Sequence, residues 1–393
     1  MKKSTLISTL LSIILLSACE EPHFDEGKEF SIEEAITTTP FKAIHFETNE
    51  SCKECHPTIY DEFTNSMHFK ATVFRDKIHK AVWEQHPNFK NKTQYKCAQC
   101  HLPGADNIEA FMEEGGQALP DPNNASQNEA ISCAACHKIK SIEKHRQANR
   151  NIYSEEKDAF YGIGEQLSIA HLTNNKNKMY RTGELCLGCH SHRENIKDYV
   201  VCITASETKE KSYKTCISCH MPQVDGPGST NSTQRKHFFH GFAGANNNQE
   251  MLAKQVEFRV KKVANSKVEL SIKNKAPHDL FLHPLRASFI KTAIVRDGKT
   301  IHTFGDLQME RVLKDKKGIA GCTNASRETK NTLIKGDQTT TLILKHSFRE
   351  NDQLSVEFGY QLVKDDFIKS LGLENDKAAT SYKIFKKEII LIE

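Results

Sequence analysis

Cys52-Lys-Glu-Cys55-His56, Cys97-Ala-Gln-Cys100-His101, Cys133-Ala-Ala-Cys136-His137, Cys186-Leu-Gly-Cys189-His190 and Cys216-Ile-Ser-Cys219-His220 are five copies of one pattern, Cys-x-x-Cys-His, all between residues 52 and 220. The pattern is the attachment signal for c-type haem. Two thiols add to the two vinyl groups of one porphyrin, and the adjoining imidazole reaches the iron. Ten of the chain's thirteen cysteines are used this way. A zinc ribbon does not place His after every second Cys, and a redox dithiol does not recur five times without a βαβ context. The expected cofactor load is therefore five covalently bound haem c groups, each with its iron. Cys52, Cys55, Cys97, Cys100, Cys133, Cys136, Cys186, Cys189, Cys216 and Cys219 are the attachment residues. His56, His101, His137, His190 and His220 are the first metal ligands.

Outward from the motifs, composition divides the chain. Only 38% of its 393 residues are hydrophobic, which suits a region filled by porphyrins in place of apolar side chains. The 54 basic and 50 acidic residues leave a net charge of +4, a near balance that argues against a nucleic-acid partner. Residues 49–249 are read as a helical and loop-rich multihaem domain. The spacing of Ile59, Phe63, Met67 and Ala71 predicts a helix over Thr58–Phe74, and Gly104–Asn128 reads as loop. Residues 250–393 alternate instead: Val256, Phe258, Val260; Val268, Leu270, Ile272; Leu342, Leu344; Leu354, Val356, Phe358. Asp297-Gly298 reads as a hairpin turn, and Lys386–Glu393 as a last strand. The expected fold is α+β and multidomain, a multihaem cytochrome c domain followed by an all-β sandwich.

The first residues read as an export signal. Lys2 and Lys3 precede a short apolar run, Leu6–Leu16, that ends in Leu16-Ser17-Ala18-Cys19. Residues 1–18 are expected to be a signal peptide, Cys19 a lipidation site, and 19–48 a polar tether. Several acyl chains on one residue anchor far better than a single chain. The expected location is the bacterial cell envelope, as a lipoprotein facing the periplasm or the cell surface.

The remaining fourteen histidines are the pool for the opposite faces of the irons. An iron with two imidazoles has no open position, whereas an iron with one can bind a substrate. His68, His145, His171, His237 and His240 are the chosen candidates. His68 is read as serving a neighbouring haem, because its expected helix carries it away from His56. His237 and His240 flank Phe238-Phe239, and one of them is expected to ligate. His45, His79, His86 and His192 rank behind these, and His278 and His283 read as loop histidines. Met221 directly follows His220 and cannot swing to the far face of the same haem. Cys202 and Cys322 are left over as either a disulfide or two unrelated thiols.

The chain resembles the multihaem cytochromes c related to the tetrahaem cytochrome of ammonia oxidisers and to hydroxylamine oxidoreductase. Tyr60–Ala71, Cys216–Pro222 and His237–Gly244 carry the resemblance, with Asn274–His278 a weaker match. It implies closely stacked haems, mostly with two histidine ligands, in a compact helical fold. Hydroxylamine oxidoreductase carries eight haems, against five motifs here. Pentahaem nitrite reductases carry one motif ending in Lys, and all five here end in His. Two functions stay open. One is an electron relay between quinol-linked or other cytochrome partners, attached to the membrane by its lipid. The other is a haem oxidoreductase acting on a small nitrogen or sulfur compound at one open iron, with no catalytic residue identified.

Overall fold

The computed structural model describes residues 40–129, 131–164, 170–203 and 216–393, and residues 41–393 form one compact unit. The signal-peptide reading, Cys19 and most of the tether lie outside the described residues. Among the described residues no helix is long and apolar enough to cross a membrane.

The motif-bearing half is built from very short pieces. The longest helices are Pro57–Thr64 and Lys77–Glu84, each of eight residues. Motifs one, two, three and five lie on single turns, Asn49–Lys53, Ala98–His101, Cys133–His137 and Cys216–His220, and motif four on the 3-10 turn Glu184–Gly188. One turn fixes too many torsions for too few hydrogen bonds to stand alone. Caps supply part of the deficit: Thr48 accepts from the Ser51 N–H, and Ser132 from the Ala135 N–H. Short antiparallel pairs interleave with these turns: 139–143 with 150–153, 192–194 with 200–203, and 223–225 with 236–238. Ala159–Tyr161 pairs in parallel with Leu172–Asn174. One modest apolar cluster, including Trp83, Tyr95, Leu102 and Phe111, sits around the second motif.

Two local expectations are corrected here. The helix predicted over Thr58–Phe74 stops at Thr64, where Asn65 takes the C-cap position. Ser66 is buried, and its hydroxyl accepts the Phe69 N–H, which closes a separate turn around His68. A side chain that bonds its own backbone competes with the helix. Gly104–Asn128 is not all loop: it contains helical turns at Ile108–Met112 and Ala125–Asn128, the second capped by Asn124.

The C-terminal part is rich in antiparallel sheet. A three-stranded sheet runs 339–345, 267–274, 256–264. A seven-stranded sheet is ordered 318–319, 307–315, 287–296, 353–361, 383–391, with 299–303 added to 287–296 and 327–331 to 307–315. Asp297 and Gly298 both take positive φ, 49° and 73°, as a two-residue hairpin turn requires. The alternating residues point inward as expected. Val256, Phe258, Val268, Leu270 and Ile272 of one sheet meet Ile290, Ile294, Leu354, Val356 and Phe358 of the other in one core.

The sheets also hold the motif half in place. Ala81, on the helix that carries His79, packs with Leu285, Val363 and Phe367. Arg311 donates to the Val201 carbonyl at 3.0 Å, Asn195 donates to the carbonyls of Cys322 and Ala325 at 2.8 and 2.7 Å, and Tyr360 donates to the Ala245 carbonyl at 2.5 Å. Cys202 and Cys322 pack against one small cluster with Val201 and Leu313, as free thiols. Burial pushes the Cys322 thiol up to about 12.

Candidate functional site: five facing histidine pairs

A metal-bound imidazole must be neutral, with one ring nitrogen free for the metal and the other donating to an acceptor. Four of the five motif histidines meet this requirement. Nδ1 of His56 donates to the Gly228 carbonyl at 2.7 Å, His101 to Ala71 at 2.8 Å, His137 to Tyr161 at 2.7 Å and His220 to Ala243 at 2.6 Å. Each bond leaves Nε2 as the free nitrogen. Burial keeps the rings neutral: it lowers His137, His190 and His220, and pushes His101 down to about 3.

Every motif histidine has a second histidine ring across from it. His56 faces His171 with ring centroids 6.3 Å apart and planes 28° apart. His137 faces His240 at 6.3 Å and 23°. His220 faces His278 at 6.2 Å and 17°. His190 faces His68 at 5.9 Å and 79°. Metal–imidazole bonds of about 2 Å on both sides of one ion put the two ring centroids about 6 Å apart. These four pairs have that separation. His240 and His278 also donate Nδ1 to backbone carbonyls, Phe238 at 2.6 Å and Asp279 at 2.9 Å.

The second motif differs. His101 and His79 have centroids only 4.0 Å apart, tilted by 44°. Both donate Nδ1 to the same carbonyl, Ala71, and the Tyr95 hydroxyl donates to Nε2 of His79 at 3.0 Å. Both nitrogens of His79 are thus engaged, and the gap is too narrow for an iron between the rings.

The cysteines order the motifs. Cys52 lies beside Cys133, Cys100 beside Cys189, and Cys186 beside Cys216. Cys136 lies near both Cys186 and Cys189. Motif one therefore adjoins three, three adjoins four, and four adjoins both two and five. The neighbouring Cys133 and Cys186 thiols lower Cys52 and Cys216 below the ordinary thiol range.

The donor set fits haem c. Each paired-thiol turn presents its imidazole to a facing ring. Asn49 Nδ2, Gln94 Nε2 and Ser191 Oγ, beside motifs one, two and four, are buried donors with no acceptor in the protein. Such donors suit a group that brings carboxylates with it.

The candidates chosen from sequence divide. His68, His171 and His240 lie opposite motif histidines. His145 and His237 do not, which corrects their selection. His145 pairs with Glu143 at 3.1 Å. His237 spends both nitrogens, on the Gly226 carbonyl at 2.9 Å and on Glu62 at 3.1 Å. Glu62 also accepts the His240 N–H at 2.8 Å, so the pair of residues aims the ring three positions later. His278, read as a loop histidine, and His79, ranked low, are the facing rings that sequence reasoning missed. His278 belongs to the sheet half and comes to motif five through tertiary packing. His79 had a local signal: Asp76 caps its helix, which sets the ring beside Ala71.

Residues 51–138 match a family model described as cytochrome c554 and c-prime. No curated protein matches the chain. Among solved structures, the fold is similar to that of a penta-heme cytochrome c552 from Thermochromatium tepidum. The TM-score is 0.70 at 19% identity, over 89% of this chain and 100% of that one. At that identity the likeness establishes a shared multihaem cytochrome fold.

Proposed function

We propose that the chain is a pentahaem c-type cytochrome, lipid-anchored in a bacterial envelope, that relays electrons between redox partner proteins. The observation that carries this reading is the facing of two imidazoles at four motifs, at separations that suit one iron between them. Haem c at these positions supplies one-electron redox chemistry at iron. The ten motif cysteines would hold the porphyrins, and the four facing histidine pairs would ligate their irons and keep substrate from them. Backbone carbonyls fix the tautomer and orientation of His56, His137, His220, His240 and His278, so little rearrangement accompanies a change of charge there. Contact between motifs one and three, three and four, and four with two and five makes the array continuous.

A second reading is favoured at motif two alone. With Tyr95 holding its Nε2, His79 would not ligate an iron held by His101, and the Tyr95 hydroxyl and His79 imidazole beside that position can move protons. That arrangement suits an oxidoreductase acting on a small nitrogen or sulfur compound. Kinship to hydroxylamine oxidoreductase belongs to this reading and rests on the sequence resemblance.

Electron paramagnetic resonance of the oxidised full-length protein separates the two. A relay shows low-spin iron at the four facing pairs and no iron signal that changes with nitrite, hydroxylamine or sulfite. A high-spin signal that shifts with one of these ligands overturns the relay in favour of chemistry at motif two. The same sample should weigh five haems more than the mature chain, and four or fewer would remove the pentahaem reading. Cys19→Ala should release the protein from the membrane fraction or leave it unprocessed, and unchanged fractionation would refute the anchor.

A further inference from the structure

The pair at motif four is unlike the other facing pairs in three ways. His68 and His190 stand 79° apart, whereas the planes at motifs one, three and five lie 17–28° apart. Nδ1 of His68 is buried with no hydrogen-bond partner, whereas the facing rings His240 and His278 each donate Nδ1 to a carbonyl. And His68 is central: His190, His101 and His220 all lie near enough to influence it, and the motif-four cysteines lie beside those of motifs two and five.

The cause is local. The helix ends at Thr64, and the turn closed by Ser66 and Phe69 aims the His68 ring inward. Phe242 then packs edge-on against it, with centroids 4.2 Å apart. An apolar ring thus lies against His68.

These differences act in one direction. An acceptor on the far nitrogen makes an imidazole more basic and a stronger donor to oxidised iron. Without one, His68 is the weaker donor and favours the reduced state. Nothing equivalent operates at the carbonyl-bonded rings of motifs three and five. The perpendicular planes give the site a signature. Two parallel imidazoles split the iron orbitals they share, whereas crossed ones leave them nearly degenerate, and the oxidised signal becomes strongly anisotropic.

We infer that His68 makes motif four the highest-potential of the four facing-pair positions, an electron well at the hub where motifs two, three and five meet. This rests on the relay reading for its purpose and on His68 alone for its mechanism. The test is a reductive titration of the full haem-loaded protein followed by low-temperature paramagnetic resonance. One strongly anisotropic low-spin signal should be present and should disappear first as the potential falls. His68→Met should abolish that signal and leave the rhombic signals in place. Phe242→Gln, which offers an acceptor beside the ring, should make the same signal disappear later in the titration. The inference is overturned if every low-spin signal is rhombic, if the anisotropic signal disappears last, or if it survives His68→Met. A ligand-sensitive high-spin signal would break the relay reading instead, without touching the anisotropic one.

Discussion

Residues 256–391 and residues 41–249 solve the problem of a core in opposite ways. The sheet half brings twenty buried residues into one cluster, Val256 through Ile392. Each fully buried Val, Leu, Ile or Phe contributes about 1.5–3 kcal/mol. Among the described residues, the motif half has a cluster of eight buried residues around motif two, two of them alanines. Its helices are one or two turns long, and its buried surfaces are lined with imidazoles, thiols and unpaired amide donors. The first half is held by its own side chains. The second is shaped around groups that the proposed haems supply.

The largest expected effect breaks the two halves apart. Chain produced without haem attachment should lose the motif half, so that limited proteolysis digests 41–249 and spares a fragment close to 250–393. A motif half that resists protease without haem would end the comparison.

A smaller effect probes the sheet core directly. Phe358 is fully buried and packs with Phe281 and Phe385. Phe358→Ala should cost about 3–5 kcal/mol in denaturant unfolding. Haem absorption should be unchanged until the transition begins, because no facing histidine touches that ring. A spectral change in native buffer would show that the sheets govern axial geometry more widely than through His278.

The smallest effect is electrostatic and depends on pH. The Asp352 side chain is 0% exposed, accepts from Nε and Nη2 of Arg296 at 2.7 and 2.9 Å, and also accepts the Arg349 N–H. The Arg296 hydrogen bonds hold its carboxyl below the ordinary range. A lowered folded value stabilises above the unfolded pKa, about 3.9, and that stability fades as pH falls through the folded value. Asp352→Asn should cost about 2 kcal/mol at neutral pH and almost nothing at the acid end. An equal cost at both ends would mean that packing, not charge, holds this corner of the sheet.

The sequence was most legible where the signal is local. The five motifs needed only adjacent residues, and the strands needed only a period of two, because alternate side chains face opposite sides of a sheet. Asp297-Gly298 was readable because its backbone conformation narrows the choice of residues. The predicted helix through His68 failed on competition: its apolar spacing is helical, but Ser66 bonds its own backbone and the chain turns instead. Cys202 and Cys322 stayed ambiguous for a similar reason, since leftover thiols have no pattern. The structure packs them beside one cluster as free thiols.

Sequence by itself determined which residues can attach haem, how many motifs there are, and where the alternating half begins, since covalent chemistry and strand periodicity are written in neighbours. Only the tertiary structure decided which histidines face one another. His171 reaches His56 and His68 reaches His190 across long stretches of chain. His278 arrives from the sheets, while His145 and His237 are drawn off to Glu143 and Glu62. An imidazole carries no mark of its partner in the linear chain. Its role is set by whichever acceptor, carboxylate or second ring packing places within about 3 Å of its nitrogens.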